Sequence, residues 1–197
     1  MVAGNPLPFK PDRGTAMPLL HAGFLEYMQN YFALFQLPQQ FELDLTQLDS
    51  QYRKLQAEVH PDKFVSASPA ERMHSMQMAT LANEAYQTLK HPTARARYLL
   101  QLQGITTDEE NNTAMPADFL MAQMEWREAI DDAKYSKDIA ALDTLLKDMR
   151  AQAKTLQQQV ATEIETAPTL AALTVRKLRF IDKVSEDVNQ LIAQLED

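Results

Sequence analysis

From Ile139 to Leu195 apolar side chains return every three or four residues, a spacing that leaves few folds open. A first run carries Ile139, Leu142, Leu145, Leu146, Met149, Leu156, Val160 and Ile164. A second carries Leu170, Leu173, Leu178, Ile181, Val184, Val188, Leu191 and Leu195. At 3.6 residues per turn each run draws one continuous apolar stripe along a helix. With a further helix before them, the pattern predicts helices at about 116–133, 137–165 and 168–196, packed as a three-helix bundle. Composition agrees, because Leu, Ala, Gln, Glu and Met abound while only 4 of 197 residues are Gly. Such helix-forming proportions make the predicted fold class all-α.

The N-terminal half is organised differently. Residues 1–27 are rich in Pro and Gly, lack sustained periodicity and read as a loosely ordered extension; a natural beginning at Met28 is the alternative. Tyr31–Leu37 reads as one or two apolar helical turns closed by Pro38. Asp44 with Gln47 is a capping pair. Leu45, Leu48, Tyr52, Leu55 and Val59 then form a stripe that leaves Arg53 and Lys54 toward solvent. Pro61 ends this helix, since the residue before a proline avoids helical geometry. Ser68-Pro69-Ala70-Glu71 is a second start, with a cap, a proline suited to the first helical position and a Glu to complete the box. That helix is expected to run to about Leu89 through Met73, Met76, Thr80, Ala82 and Tyr86. His91-Pro92 stops it, and a shorter helix, Thr93–Leu102, ends at Gly104. The polar stretch Ile105–Met115 divides the chain into a unit at 28–102, a linker at 103–115 and a second unit at 116–197.

Several functions are set aside by composition. A net charge of −8 repels phosphate backbones, so no nucleic-acid partner is expected. The absence of cysteine removes disulfides, thiolate catalysis and thiolate-held zinc. His21, His60, His74 and His91 are scattered without ligand spacing, so neither a metal nor a cofactor is expected. No apolar run is long enough for a membrane span. The N-terminus does not read as a secretory signal, which makes the cytoplasm the expected compartment. There is no phosphate-binding glycine loop and no nucleophile motif, so the chain is not expected to be an enzyme.

Two constellations remain. The first is the loop His60-Pro61-Asp62-Lys63-Phe64 between two amphipathic helices. At the tip of an antiparallel pair such a loop is exposed and Pro61 stiffens it. Asp62 can accept charge-assisted hydrogen bonds from a partner's arginine. Arg53, Lys54 and Lys63 form a small positive cluster that can steer docking onto an acidic surface. Taken alone, the same residues also suit a plain helix stop with solvated lysines. Residues 31–102, however, resemble a J-domain. The opening Tyr31-Phe32-Ala33-Leu34-Phe35, the tripeptide in its loop, and Ala82-Asn83-Glu84-Ala85-Tyr86-Gln87-Thr88-Leu89-Lys90 with Pro92 fall in the family's order and spacing. That resemblance implies a partner, a heat-shock-70-type chaperone, whose ATPase is stimulated through His60, Pro61 and Asp62 supplemented by Arg53, Lys54 and Lys63.

The second constellation is the helix at 116–133. At about 100° per residue, Phe119, Trp126 and Ile130 share the core side. Leu120, Met121 and Met124 point elsewhere, together with Glu125, Glu128 and Asp132. Two explanations stay open for this face: packing against a neighbouring element, with Met as gap-filler, or an adaptable client surface rimmed with charge. Phe180 flanks the last helix's stripe and can extend the patch. Glu125 and Glu128 also share a face as a metal-ligand pair would, but no histidine at suitable spacing joins them. Phe119-Leu120-Met121, Met124-Glu125, Arg127-Glu128 and Val175-Arg176-Lys177-Leu178-Arg179-Phe180 with Asp182-Lys183 resemble the C-terminal domain of the HscB family, co-chaperones of iron–sulfur cluster biogenesis. The cysteine-free chain is similar to the bacterial form. This resemblance implies a second partner, the scaffold protein on which clusters are assembled, contacted by Leu120, Met121, Met124, Glu125, Glu128, Asp132 and Phe180. The alternative is a general J-protein that binds unfolded segments, which usually needs an apolar groove or a zinc module.

Overall fold

The computed structural model describes residues 30–107 and 115–196. The N-terminal extension at 1–27 and the linker residues 108–114 lie outside the described residues. Asn30 caps α1 (Tyr31–Leu34), its side chain accepting from the amides of Phe32 and Ala33. α2 (Leu45–Val59) starts where Asp44 accepts from the amides of Thr46, at 2.8 Å, and Gln47, at 3.2 Å. A single 3-10 turn, Pro61–Phe64, carries the chain around the tip. α3 (Pro69–Lys90) opens with a complete capping box: Glu71 bonds the Ser68 amide, and the Ser68 hydroxyl accepts from the Glu71 amide. Hydrogen bonds from the Ser68 side chain and then its backbone hold the Glu71 carboxyl below its ordinary range. α4 (Pro92–Leu102) follows, then α5 (Ala117–Ser136), α6 (Ile139–Thr166) and α7 (Pro168–Glu196). No strand occurs among the described residues.

α2 and α3 pack as an antiparallel hairpin whose register is fixed by side-chain pairs. Tyr52 stacks on Tyr86 with ring centres 4.0 Å apart. Asn83 accepts from the Tyr52 hydroxyl and the Gln56 amide, each at 2.7 Å, and the Tyr86 hydroxyl donates to Asp49 at 2.7 Å. α3 turns Ser75, Met78, Ala82, Ala85 and Leu89 inward. Met73 and Met76, which the sequence pattern put on the helix's apolar run, face solvent instead. The core face takes Ser75, bonded to Val59 of α2, and Met78, each two residues further along.

α4 is enclosed on most of its circumference, with Thr93, Arg95, Ala96, Tyr98, Leu99 and Leu100 all buried. One side packs on α3 and the other on α6 and α7. A single apolar core therefore runs from Phe32, Phe35 and Leu48 through Leu99 and Leu100 to Val175 and Leu178. The Arg95 guanidinium donates to the Leu89 carbonyl at the end of α3 and lies over the Phe41 ring. Residues 103–107 follow the same junction: the Gln103 amide donates to the Ile164 carbonyl, and Arg176 donates to the carbonyl of buried Thr107. α6 and α7 form the long hairpin of the bundle. α5 lies against both, and a smaller core of Ala133, Leu142, Leu146 and Val188 closes its far end.

Candidate functional site

The first surface is the hairpin tip. Val59 is buried at the end of α2, and its carbonyl accepts a 2.7 Å hydrogen bond from the hydroxyl of Ser75, itself wholly buried on α3. That bond satisfies one of the carbonyls every helix end leaves without a partner. On the other side of the loop, the Arg72 guanidinium donates to the carbonyls of Val65 and Ala67 at 3.3 and 3.2 Å. α3 thus holds both ends of the turn. Within it, His60 Nδ1 accepts from the Asp62 amide at 3.3 Å and lies 3.5 Å from the Asp62 carboxylate. The Asp62 side chain remains 87% exposed. His60, Pro61, Asp62 and Lys63 all face solvent, as do Arg53 and Lys54 on α2. The tip presents the exposed Asp62 carboxylate, with Arg53, Lys54 and Lys63 exposed on the same hairpin, suited to a charge-assisted bond with a partner guanidinium and to approach along an acidic surface.

The second surface is the outward face of α5. Phe119 is buried, with its ring edge-on to Trp126 at 5.9 Å and to Phe180 at 5.8 Å. Trp126 stacks on Phe180 at 6.1 Å. The Lys177 ammonium lies 5.5 Å from the Phe119 ring centre. This aromatic triad fixes how α5 is rotated on the bundle. It leaves Leu120, Met121 and Met124 outward at 43%, 63% and 65% exposure, with Glu125, Glu128 and Asp132 exposed beside them. Phe180 is half-buried: one side completes the core and the remainder borders the patch. Among the described residues no element covers the two methionines on this face.

Sequence reasoning missed three contributors. Ser75 and Arg72 support the tip and Lys177 packs on Phe119, while Trp126, expected on the core side, forms the floor under Phe180. Only Ser75 left a signal, as a small hydroxyl at a core position of a helix. Among the described residues no three His, Asp or Glu side chains gather as a metal site would require, and no helix is long and apolar enough to cross a membrane.

A helical hairpin with a rigid His-Pro-Asp tip, continued through one core into a three-helix bundle, defines a J-domain co-chaperone. Comparison with known proteins narrows the class. Residues 115–189 match the family described as the HSCB C-terminal oligomerisation domain. A co-chaperone protein HscB homolog of Paraburkholderia phymatum is 48% identical over 85% of this chain and 97% of its own length. Its counterpart in Chromobacterium violaceum is 47% identical over 87% and 98%. Chaperone HscB from Vibrio cholerae superposes with a TM-score of 0.74 at 42% identity, covering 84% of this chain and 99% of that one. The crystal structure of human co-chaperone protein HscB gives 0.79 at 28% identity, covering 93% of each. The chain belongs to the HscB family, the co-chaperones of iron–sulfur cluster biogenesis, and is of the bacterial type.

Proposed function

We propose that this chain carries a cluster-scaffold protein to a heat-shock-70-type chaperone and stimulates that chaperone's ATPase. The chaperone docks on His60, Pro61 and Asp62, with Arg53, Lys54 and Lys63 steering the approach. The scaffold seats on Leu120, Met121, Met124 and Phe180, with Glu125, Glu128 and Asp132 matching basic side chains at its edge. The observation that carries this reading is that both surfaces are exposed at once on a single continuous core. The chain performs no hydrolysis itself. It binds one conformational state of the partner better than the other and shifts the equilibrium by that difference. The working units are 28–102 for the chaperone and 116–197 for the scaffold, joined through 103–115, and the compartment is the cytoplasm.

The test is the steady-state ATPase rate of the partner chaperone. The chain should raise it. Asp62→Ala should abolish the increase with helical content intact, because the side chain it removes is exposed. A tenfold loss would correspond to about 1.4 kcal/mol of coupling. Normal stimulation by Asp62→Ala would remove the proposal.

A further inference from the structure

Tyr135 is 94% exposed, near the end of α5. A single exposed aromatic on a surface needs no explanation. Its register gives this one significance. Eleven residues separate it from Met124, and at 100° per residue that returns it to within about 20° of the same direction. Glu128 lies between them on the same line, with Asp131 and Asp132 to either side. The outward face of α5 therefore runs from Leu120 to Tyr135, about 22 Å of helix, apolar at its start, acidic in its middle and aromatic at its end.

The backbone under Tyr135 is held firmly. Ala133 is buried in the distal core. The last turn is closed by bonds from the amides of Asp138 to Ala133, at 2.8 Å, and of Lys137 to Lys134, at 3.4 Å. Side chains on an α-helix lean toward its N-terminus, so the Cα–Cβ bond of Tyr135 is tilted toward the turn of Asp131 and Asp132. A ring on a rigid backbone with few rotatable bonds gives much contact area for little lost entropy.

We propose that Tyr135 is the distal anchor of the client face, where it receives a basic side chain of the scaffold protein. A lysine or arginine drawn to Asp131 and Asp132 would lie against the ring face, adding a cation–π contact to the carboxylate pairing. This inference rests on the reading of Leu120, Met121 and Met124 as the scaffold contact, and it extends that contact by about one turn beyond Asp132. It identifies the partner surface by its chemistry: an apolar strip followed, about three helical turns away, by exposed cations.

The experiment is calorimetric titration of the full chain with the purified scaffold protein, using Tyr135→Ala, Tyr135→Phe and the triple variant Leu120→Ala/Met121→Ala/Met124→Ala. Tyr135→Ala should weaken binding by about tenfold, the scale of an interface aromatic. Tyr135→Phe keeps the ring and should stay within about twofold of the parent. At higher salt the gap between Ala and Phe should narrow. If the triple variant loses affinity while Tyr135→Ala does not, the anchor is overturned and the scaffold patch stands. If none of the variants changes affinity, both fail.

Discussion

Ser75 sits in the middle of α3, where a hydroxyl is usually a cost, and the structure shows what it does there. It is wholly buried and donates to the carbonyl of Val59, the residue before His60. Ser75→Ala would leave that carbonyl buried without a donor, a loss of about 1–3 kcal/mol. The expected outcome is a lower urea midpoint together with weaker ATPase stimulation at temperatures where the tip loosens. An unchanged midpoint would show that the bond contributes nothing. The exposed tip residues proposed for contact could be picked out in the sequence because they are spaced as a motif. Ser75 and Arg72 could not, because their role depends on which turn of α3 faces α2, and the apolar pattern placed Met73 and Met76 where Ser75 and Met78 stand.

At the scale of elements, three helices stop by the same device. The last residues of α1, α4 and α5 are followed by one residue in the left-handed region: Gln36 at φ 55°, Gly104 at φ 76° and Lys137 at φ 54°. At each stop two amides turn back to the final carbonyls, as from Leu37 to Phe32, Ile105 to Leu100 and Asp138 to Ala133. Only one of the three uses glycine, and only that stop was readable in advance. α5 was accordingly expected to end at about 133 but runs to Ser136, because nothing in a lysine announces a left-handed cap. The difference gives a paired prediction. A Cβ at Gly104 would meet nothing within 4 Å, so Gly104→Ala should cost about 1 kcal/mol from backbone strain alone. Lys137→Gly should stabilise by a similar amount, about 1 kcal/mol. Denaturant midpoints moving in opposite directions would bear this out; a stabilised Gly104→Ala would contradict it.

For the whole molecule, the central feature is α4. The sequence showed a short helix ending at Gly104 but not that it is shared, since a helix apolar around most of its surface has no single face to read. Burial of Ala96, Leu99 and Leu100 between the hairpin and the bundle makes one core of two units. Thermal unfolding should then be a single cooperative transition. Trp126, the one tryptophan, reports the bundle, and helical circular dichroism reports all elements, so the two curves should coincide. A biphasic melt would mean that the units come apart first.

One core also joins the tip to the α5 face, and the proposed delivery requires a single molecule to engage both partners. The direct measurement is the chaperone's ATPase rate with scaffold present, using an equimolar mixture of two variants. One carries Asp62→Ala and should not engage the chaperone; the other carries Leu120→Ala/Met121→Ala/Met124→Ala and should not hold the scaffold. The mixture should lack the extra stimulation that scaffold adds with the intact chain. Full recovery of that stimulation by the mixture would contradict it.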